Sequence, residues 1–280
     1  MTGYVALFGD PVTGNPTSRM HNAAFESLGM DLRYLDIRVE AGRLPEAVDA
    51  ARALRFAGLN LTIPHKVTVV PLLDARERSA ELIGAVNTVR RDDDGRYVGS
   101  NTDGQGFVAA LRASGHDPAG SVVIVLGAGG AARAVAVELA LAGADKIIVV
   151  NRGADRRASV VSLILGLGVS AVGLPWDGEI DLPPCDILVH ATPIGMRGKE
   201  GVPTLPPVRL DTLGPGVVVC DLNPETTESP LLLRAREQGL PTIHGLDTLA
   251  RQGALGFEAW TGVRPPLDLM IGALRSVGSR

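Results

Sequence analysis

The sequence predicts an α/β protein of two domains, and three observations carry that prediction. Apolar runs of strand length alternate with helical periodicity along most of the 280 residues. The stretch Val122-Val-Ile-Val-Leu-Gly127-Ala128-Gly129-Gly130-Ala131-Ala132 sets a glycine turn between a buried-strand pattern and a helix, and a second strand pattern, Lys146-Ile-Ile-Val-Val-Asn151, follows. A segment rich in turn formers, Ser114-Gly-His-Asp-Pro-Ala-Gly-Ser121, lies between this βαβ pattern and an earlier series of elements.

Read in order, a strand is expected over 4–8, then a loop from Gly9 to Ser18, then a helix to about Leu28. Asn15 or Thr17 can cap that helix, Pro16 suits its first turn and Gly29 ends it. A strand over 33–37, a helix over 44–54 and a strand over 58–62 follow. A weaker strand pair spans 85–91 and 96–100 around the turn Asp92-Asp-Asp-Gly95, and the helix after Asn101 runs to about Leu111. The domain junction falls at or just before 114–121. Beyond the glycine turn, strands are expected over 186–190 and 217–221, and 158–176 reads as a helix end with a short strand, because glycines and serines interrupt it. Helices over 248–261 and 267–277 close the chain. The expected domains are 1–105, 106–240 and a helical segment 241–280 that returns to the first.

The glycine turn has the context a dinucleotide site needs. Gly127 can make the tight turn, Gly129 lets the backbone approach a pyrophosphate, and Ala132 is small enough for helix–strand packing. Amides at the helix start then point at the anion. An NAD-preferring site usually places a carboxylate about 20 residues past the glycines to hold the ribose hydroxyls. Here the second strand ends Asn151-Arg152-Gly153-Ala154-Asp155-Arg156-Arg157. Arg152 and Arg156 can offer forked, permanently charged donors to a 2′-phosphate. NADP is the expected cofactor.

Bulk properties fit a cytoplasmic enzyme. The net charge of −4 gives no reason to expect nucleic acid or an anionic membrane as partner. Cys185 and Cys220 sit on separate apolar runs and form no disulfide framework, and the five histidines show no metal-ligand spacing. The N-terminus runs straight into a strand-like segment, unlike a signal peptide.

Outside the glycine turn, the polar motifs are Asn60-Leu-Thr62-Ile-Pro-His-Lys66, Gly84-Ala-Val-Asn87-Thr88 and Asn101-Thr-Asp103-Gly104. Each ends or follows a short apolar segment, as expected for side chains delivered to a cleft at strand ends. A dehydrogenase needs a group that takes the alcohol proton as hydride leaves carbon. Lys66 is a candidate in a chain with 24 Arg and only 3 Lys, and Asp103 could orient it. Taken singly, the lysine also reads as a surface charge and Asn87 and Asp103 as turn residues.

Together, in order and spacing, these motifs resemble the shikimate dehydrogenase family over nearly the whole chain. The matching signals are Gly9-Asp-Pro, the three motifs above, Gly127-Ala-Gly-Gly130, Asn151-Arg152, Ala191-Thr192-Pro-Ile-Gly195-Met and Gly245-Leu with Gln252. The resemblance implies an N-terminal α/β substrate-binding domain, a Rossmann-type NADP-binding domain, and interconversion of shikimate and 3-dehydroshikimate. It assigns Lys66 and Asp103 as the catalytic pair. Asn60, Thr62, Asn87 and Gln252 become contacts to substrate hydroxyls. Gly127, Ala128, Gly129, Gly130 and Ala131 form the pyrophosphate turn, and Asn151, Arg152 and Arg156 the adenosine-phosphate clamp, with Thr192 and Gly245 also on the cofactor side. No metal is implied, and the chain is expected to be a monomer or homodimer.

Departures from the family pattern fall on the substrate side. Asn15 and Thr17 stand where the family usually holds the substrate carboxylate with a Ser-x-Ser pair. Both remain hydrogen-bond donors at a helix start, so anion binding is still expected there. The tyrosine usual near Pro224 is absent, Gly153 replaces a threonine, and Thr248 replaces a methionine. A relative that prefers quinate or another cyclic hydroxy acid is the nearest alternative. A non-catalytic NADP-binding regulator would need neither Lys66 nor Asp103, and an enzyme of folate-carrier metabolism suits the Asn/Thr/Gln set less well.

Overall fold

The computed structural model describes residues 2–196, 204–224 and 229–276. The chain divides into two compact units, Met1–Thr102 with Ala250–Arg280, and Asp103–Leu249.

The first unit contains β1 (Gly3–Gly9), α1 (Thr17–Ser27), β2 (Leu32–Arg38), α2 (Leu44–Ala53), β3 (Gly58–Leu61), α3 (His65–Thr68), β4 (Ala75–Arg76), α4 (Arg78–Ile83), β5 (Thr88–Arg91) and β6 (Tyr97–Ser100). Its sheet runs β2-β1-β3-β5-β6-β4. β1 pairs in parallel with β2 and β3, and the hairpin β5–β6 adds antiparallel strands beside β3. Phe8, Leu44, Val48, Leu59, Leu61 and Tyr97 are buried in one core over this sheet. Burying each such side chain contributes about 1.5–3 kcal/mol relative to exposure.

Where α1 begins, Pro16 occupies the cap position and Asn15 Oδ1 accepts the Thr17 N–H at 2.9 Å. The two residues expected as alternative caps thus act together. The strand expected from 85 begins only at Thr88, because the Val86 N–H goes to the Lys66 carbonyl at 2.7 Å and draws the segment toward α3.

The second unit opens within α5 (Thr102–Ala113). It continues through β7 (Val122–Leu126), α6 (Gly130–Leu141), β8 (Lys146–Asn151), α7 (Ala154–Gly166), β9 (Ser170–Pro175), β10 (Ile180–Asp181), β11 (Ile187–His190), β12 (Val208–Arg209), β13 (Val218–Asp221), α8 (Pro230–Glu237) and β14 (Thr242–His244). Its large sheet is parallel throughout, in the order β14-β13-β11-β7-β8-β9. That is the doubly wound order whose switch point lies between β7 and β11. Val123, Ile124, Val125 and Leu126 are fully buried, which is why this strand reads as an unbroken apolar run. Gly104 gives α5 its close approach to α6, since a side chain there would strike the Ala134 carbonyl and Glu138.

Residues 241–249 were expected with the returning helices, but β14 pairs with β13 from Val219↔Thr242 to Asp221↔His244 and so belongs to the second sheet. α9 (Gly245–Thr261) begins directly after β14, three residues before the expected start, and from Ala250 onward it belongs to the first unit. α10 (Leu267–Arg275) follows and packs on α1. Among the described residues, no helix is long and apolar enough to cross a membrane.

Candidate active site

The second unit offers an open receptor at the switch point of its sheet. Gly127 follows β7 with φ +114°, a backbone state that side chains rarely adopt, and a Cβ there would lie 2.9 Å from the Ala191 carbonyl oxygen. Gly129 and Gly130 differ: a Cβ on either would meet nothing within 4 Å, so open space stands before the turn and the start of α6. A cavity of about 540 Å³ is lined by Gly127, Ala128, Gly129, Asn151, Arg152 and Arg156, with Thr192 and Ile194 among its other walls. A shallower one of about 470 Å³ adjoins Gly130, Arg133, Asp155 and Ser159. Backbone amides at a helix start, open space and two exposed guanidinium groups match a dinucleotide carrying a ribose phosphate.

The ribose end is braced from behind. Arg157 donates to the Asn151 carbonyl at 2.6 Å, and the Asn151 amide donates to the Gly153 carbonyl at 3.0 Å. Arg157 is therefore a strut, while Arg152 and Arg156 line the cavity. Arg133, which sequence reasoning did not single out, lies in the first turn of α6 and donates to Ser159 at 3.3 Å. Burial pulls its guanidinium below its ordinary pKa. A cation is electrostatically disfavoured at a helix N-terminus, and that placement was the available signal. Ala131 and Gly245 lie outside the lining of both cavities. Gly245 instead lets α9 start against the Asn223 carbonyl, a position a side chain would fill.

A buried polar chain backs the cavity. His190, at the end of β11, meets Asp221 Oδ1 through Nδ1 at 3.1 Å and Thr192 Oγ1 through Nε2 at 2.7 Å. Asp221 Oδ1 also accepts the Asn223 N–H at 3.0 Å. Burial works to raise the Asp221 pKa, but hydrogen bonding and charge from His190 outweigh it and hold the carboxyl below the usual range. Sequence reasoning read Asp186–His190 and Val217–Asp221 only as strands. The signal was a polar residue closing each of two otherwise apolar runs. Of the segment Asp221-Leu-Asn-Pro224-Glu, where the family's tyrosine is absent, residues 221–224 are described and Glu225 lies outside the described residues.

In the first unit, the amide residues bond chiefly to one another. Asn60 Oδ1 accepts the Tyr34 hydroxyl at 2.7 Å, and its amide donates to the Asn87 carbonyl at 2.9 Å and Thr88 Oγ1 at 3.0 Å. Asn87 Oδ1 accepts the Thr102 N–H at 2.8 Å, and Asn87 Nδ2 donates to Gln252 Oε1 at 3.2 Å. The network thus joins β3, the β5 start, the α5 start and α9. Both amide hydrogens of Asn60 are spent inside the fold, which makes it a framework residue with acceptor capacity left over. Thr88 and Thr102, inside motifs already named, and Tyr34, on β2, complete the network and have no role in the sequence reading, because nothing in their spacing shows that these side chains meet.

Lys66 is half-buried in α3, and its carbonyl ties the loop before β5. Asp103 is half-buried in the first turn of α5, where the helix dipole favours a carboxylate. Thr62 follows β3, with its methyl where a side chain at Gly9 would stand. Thr17 is buried and Asn15 partly so. Behind the amides, His21 is fully buried, stacked 4.7 Å from Tyr34 and edge-on to Trp260 at 5.0 Å. Neither ring nitrogen of His21 has a hydrogen-bond partner among the described residues, and burial pushes its pKa down to about 3.

The comparisons with known proteins agree with this arrangement. Residues 7–89 match the model of the shikimate dehydrogenase substrate binding domain, and residues 245–275 match the shikimate 5′-dehydrogenase C-terminal domain. The NADP(+) shikimate dehydrogenase of Methanopyrus kandleri is 44% identical over 274 residues, covering 96% of this chain and 93% of that protein. The ligand-free 5-ketofructose reductase of Gluconobacter sp. strain CHM43 superposes with a TM-score of 0.94 at 39% identity, covering 99% of each chain. A shikimate dehydrogenase in complex with NADP+ superposes with a TM-score of 0.88 at 37% identity, covering 100% of this chain and 96% of that one. With such identity along nearly its full length, the chain belongs to the shikimate dehydrogenase family.

Proposed function

We propose that this protein catalyses the reversible, NADP-dependent reduction of 3-dehydroshikimate to shikimate. The observation that carries the reading is the receptor at the switch point, with Arg152 and Arg156 on its wall, in a chain 44% identical to an NADP(+) shikimate dehydrogenase. When bound, NADPH supplies the hydride that the ketone carbon takes up. Lys66 gives its proton to the ketone oxygen, so ketone, hydride and proton become the alcohol, and Asp103 orients the ammonium group. The net of Asn60, Asn87, Thr102 and Gln252 fixes the wall that receives the ring hydroxyls. Thr62 and Gln252 supply the contacts, while Asn60 and Asn87, whose amide hydrogens are spent inside the fold, hold the wall in place and offer only their oxygens. Gly127 to Gly130 receive the pyrophosphate, and Asn151 with the two arginines receives the adenosine phosphate.

A second reading is favoured by one feature of α1. The first helical amide, Thr17 N–H, is already taken by Asn15 Oδ1, so it is not available to a substrate carboxylate. What remains, an asparagine amide and a threonine hydroxyl, can serve the hydroxyls of a neutral polyol as well as a carboxylate. A ketone sugar of the kind named for the Gluconobacter reductase would therefore fit the same chemistry without a carboxylate.

NADPH oxidation by purified protein with 3-dehydroshikimate, 3-dehydroquinate or 5-ketofructose separates these readings. Preference for 3-dehydroshikimate supports the first. Preference for 5-ketofructose, moving toward the acid in Asn15→Ser, establishes the second, and oxidation with none of the three would overturn both.

A further inference from the structure

The most completely buried histidine–carboxylate pair among the described residues has no part in the chemistry above. His190 and Asp221 are 1% and 2% exposed, at the ends of neighbouring strands β11 and β13. An ionised carboxylate only accepts hydrogen bonds, so the His190 nitrogen facing Asp221, Nδ1, carries a proton. With a single ring proton, on Nδ1, Nε2 is then an acceptor, and among the described residues it meets Thr192 Oγ1 at 2.7 Å. The threonine hydroxyl must therefore turn its hydrogen inward to the imidazole. Its oxygen accepts the Ile194 N–H at 3.2 Å, and one lone pair is left over. Thr192 lines the nucleotide cavity, and its Cγ2 would stand 3.0 Å from a Cβ at Gly127, which locks the side chain against the glycine turn. Asn223 braces the same loop from β13 by donating to the Ile194 carbonyl at 3.0 Å.

We propose that Asp221 and His190 are positioning residues that set the polarity of Thr192, so that its hydroxyl oxygen offers the cavity an acceptor. The group received there is a hydrogen-bond donor of the dinucleotide, a ribose hydroxyl or a carboxamide N–H, and not an anionic phosphate oxygen. The same carboxylate-oriented imidazole logic fixes ligand tautomers at metal and catalytic sites, here applied to a threonine. This inference rests on the NADP-binding part of the proposed function and on no particular substrate.

The test is NADPH affinity by fluorescence titration, with unfolding midpoints recorded for every variant. Thr192→Val should weaken NADPH binding about five- to ten-fold, as expected for one lost hydrogen bond with its partner left unpaired, and Thr192→Ser should restore it. His190→Phe should weaken binding by the same factor, and the double variant His190→Phe/Thr192→Val should bind no worse than Thr192→Val alone. Asp221→Asn, which can donate to Nδ1 and so reverse the ring tautomer, should reproduce the loss with the shape unchanged. In turnover, the defect should appear in the NADPH KM with kcat held within two-fold. Effects that multiply in the double variant, or unchanged binding in Asp221→Asn, would overturn the relay. Failure of wild-type protein to bind NADPH would instead overturn the cofactor reading itself.

Discussion

The two units treat their polar groups in opposite ways. In the second, the glycine turn faces open space, and Arg152, just past β8, and Arg156, in α7, stand exposed along a cavity. In the first, Asn60, Asn87, Thr88, Thr102 and Gln252 bond to one another across four elements. A dinucleotide is long and highly charged, so its receptor can be built from unspent backbone amides and cations. A small polyol must be placed within tenths of an ångström of a hydride, so its receptor needs rigid walls, and mutual hydrogen bonding rigidifies them. The first unit's Asn60 and Asn87 thus spend their amide hydrogens on the framework, and the second leaves a glycine turn and two exposed arginines for a ligand.

Substitutions can break or sharpen this contrast, and the largest effect is expected at Lys66. Lys66→Ala should lower kcat by about 10²–10⁴, the range for loss of a general acid or base, while NADPH affinity stays within two-fold. Gly127→Val should act on the other unit alone. It forces a branched side chain to φ +114° against the Ala191 carbonyl, and NADPH affinity should fall at least about ten-fold. His21 should make stability depend on pH. Its folded pKa, about 3, lies below the unfolded value of 6.5, so the unfolded chain binds the proton first as pH falls. Its contribution is whole above pH 6.5 and is lost progressively toward pH 3. At pH 4 the loss is on the order of 3 kcal/mol, and urea unfolding of His21→Phe should lack this component. Asn87→Ala leaves the buried Thr102 N–H unpaired and should cost about 1–3 kcal/mol in the same denaturation experiment. The smallest effect is expected for Arg152→Ala or Arg156→Ala, about a ten-fold rise in the KM for NADP with NAD kinetics unchanged.

Much of the second unit was legible because its signals are local. A glycine turn, the strand before it and the charge at the next strand end all lie within 31 consecutive residues, Val122 to Arg152. Burial on both faces also forces those strands to be continuously apolar, which marks them plainly. The first unit was legible as motifs but not as a network. Nothing in the spacing of residues 60, 87, 102 and 252 states that they meet, since the bonds span up to 165 positions. Likewise, Asn15 read as either a cap or a ligand contact, and only the 2.9 Å bond to Thr17 shows its oxygen committed to the helix. The His190–Asp221 pair required the pairing of β11 with β13 before two polar strand ends became one device. The end of the second unit shifted to 249 because three residues, Thr242–His244, prefer an edge of the parallel sheet to the helices that follow.

The central claim is that the open nucleotide receptor and the rigid polyol wall serve one NADP-linked oxidation of shikimate. It is tested most directly by the initial rate of nicotinamide reduction when purified protein is given shikimate with NADP, and with NAD at the same concentration. The account predicts kcat/KM of about 10⁴ M⁻¹s⁻¹ or more with NADP, at least ten-fold above NAD. No reduction with shikimate, from protein that binds NADPH, would contradict it and leave the first unit's wall shaped for another substrate.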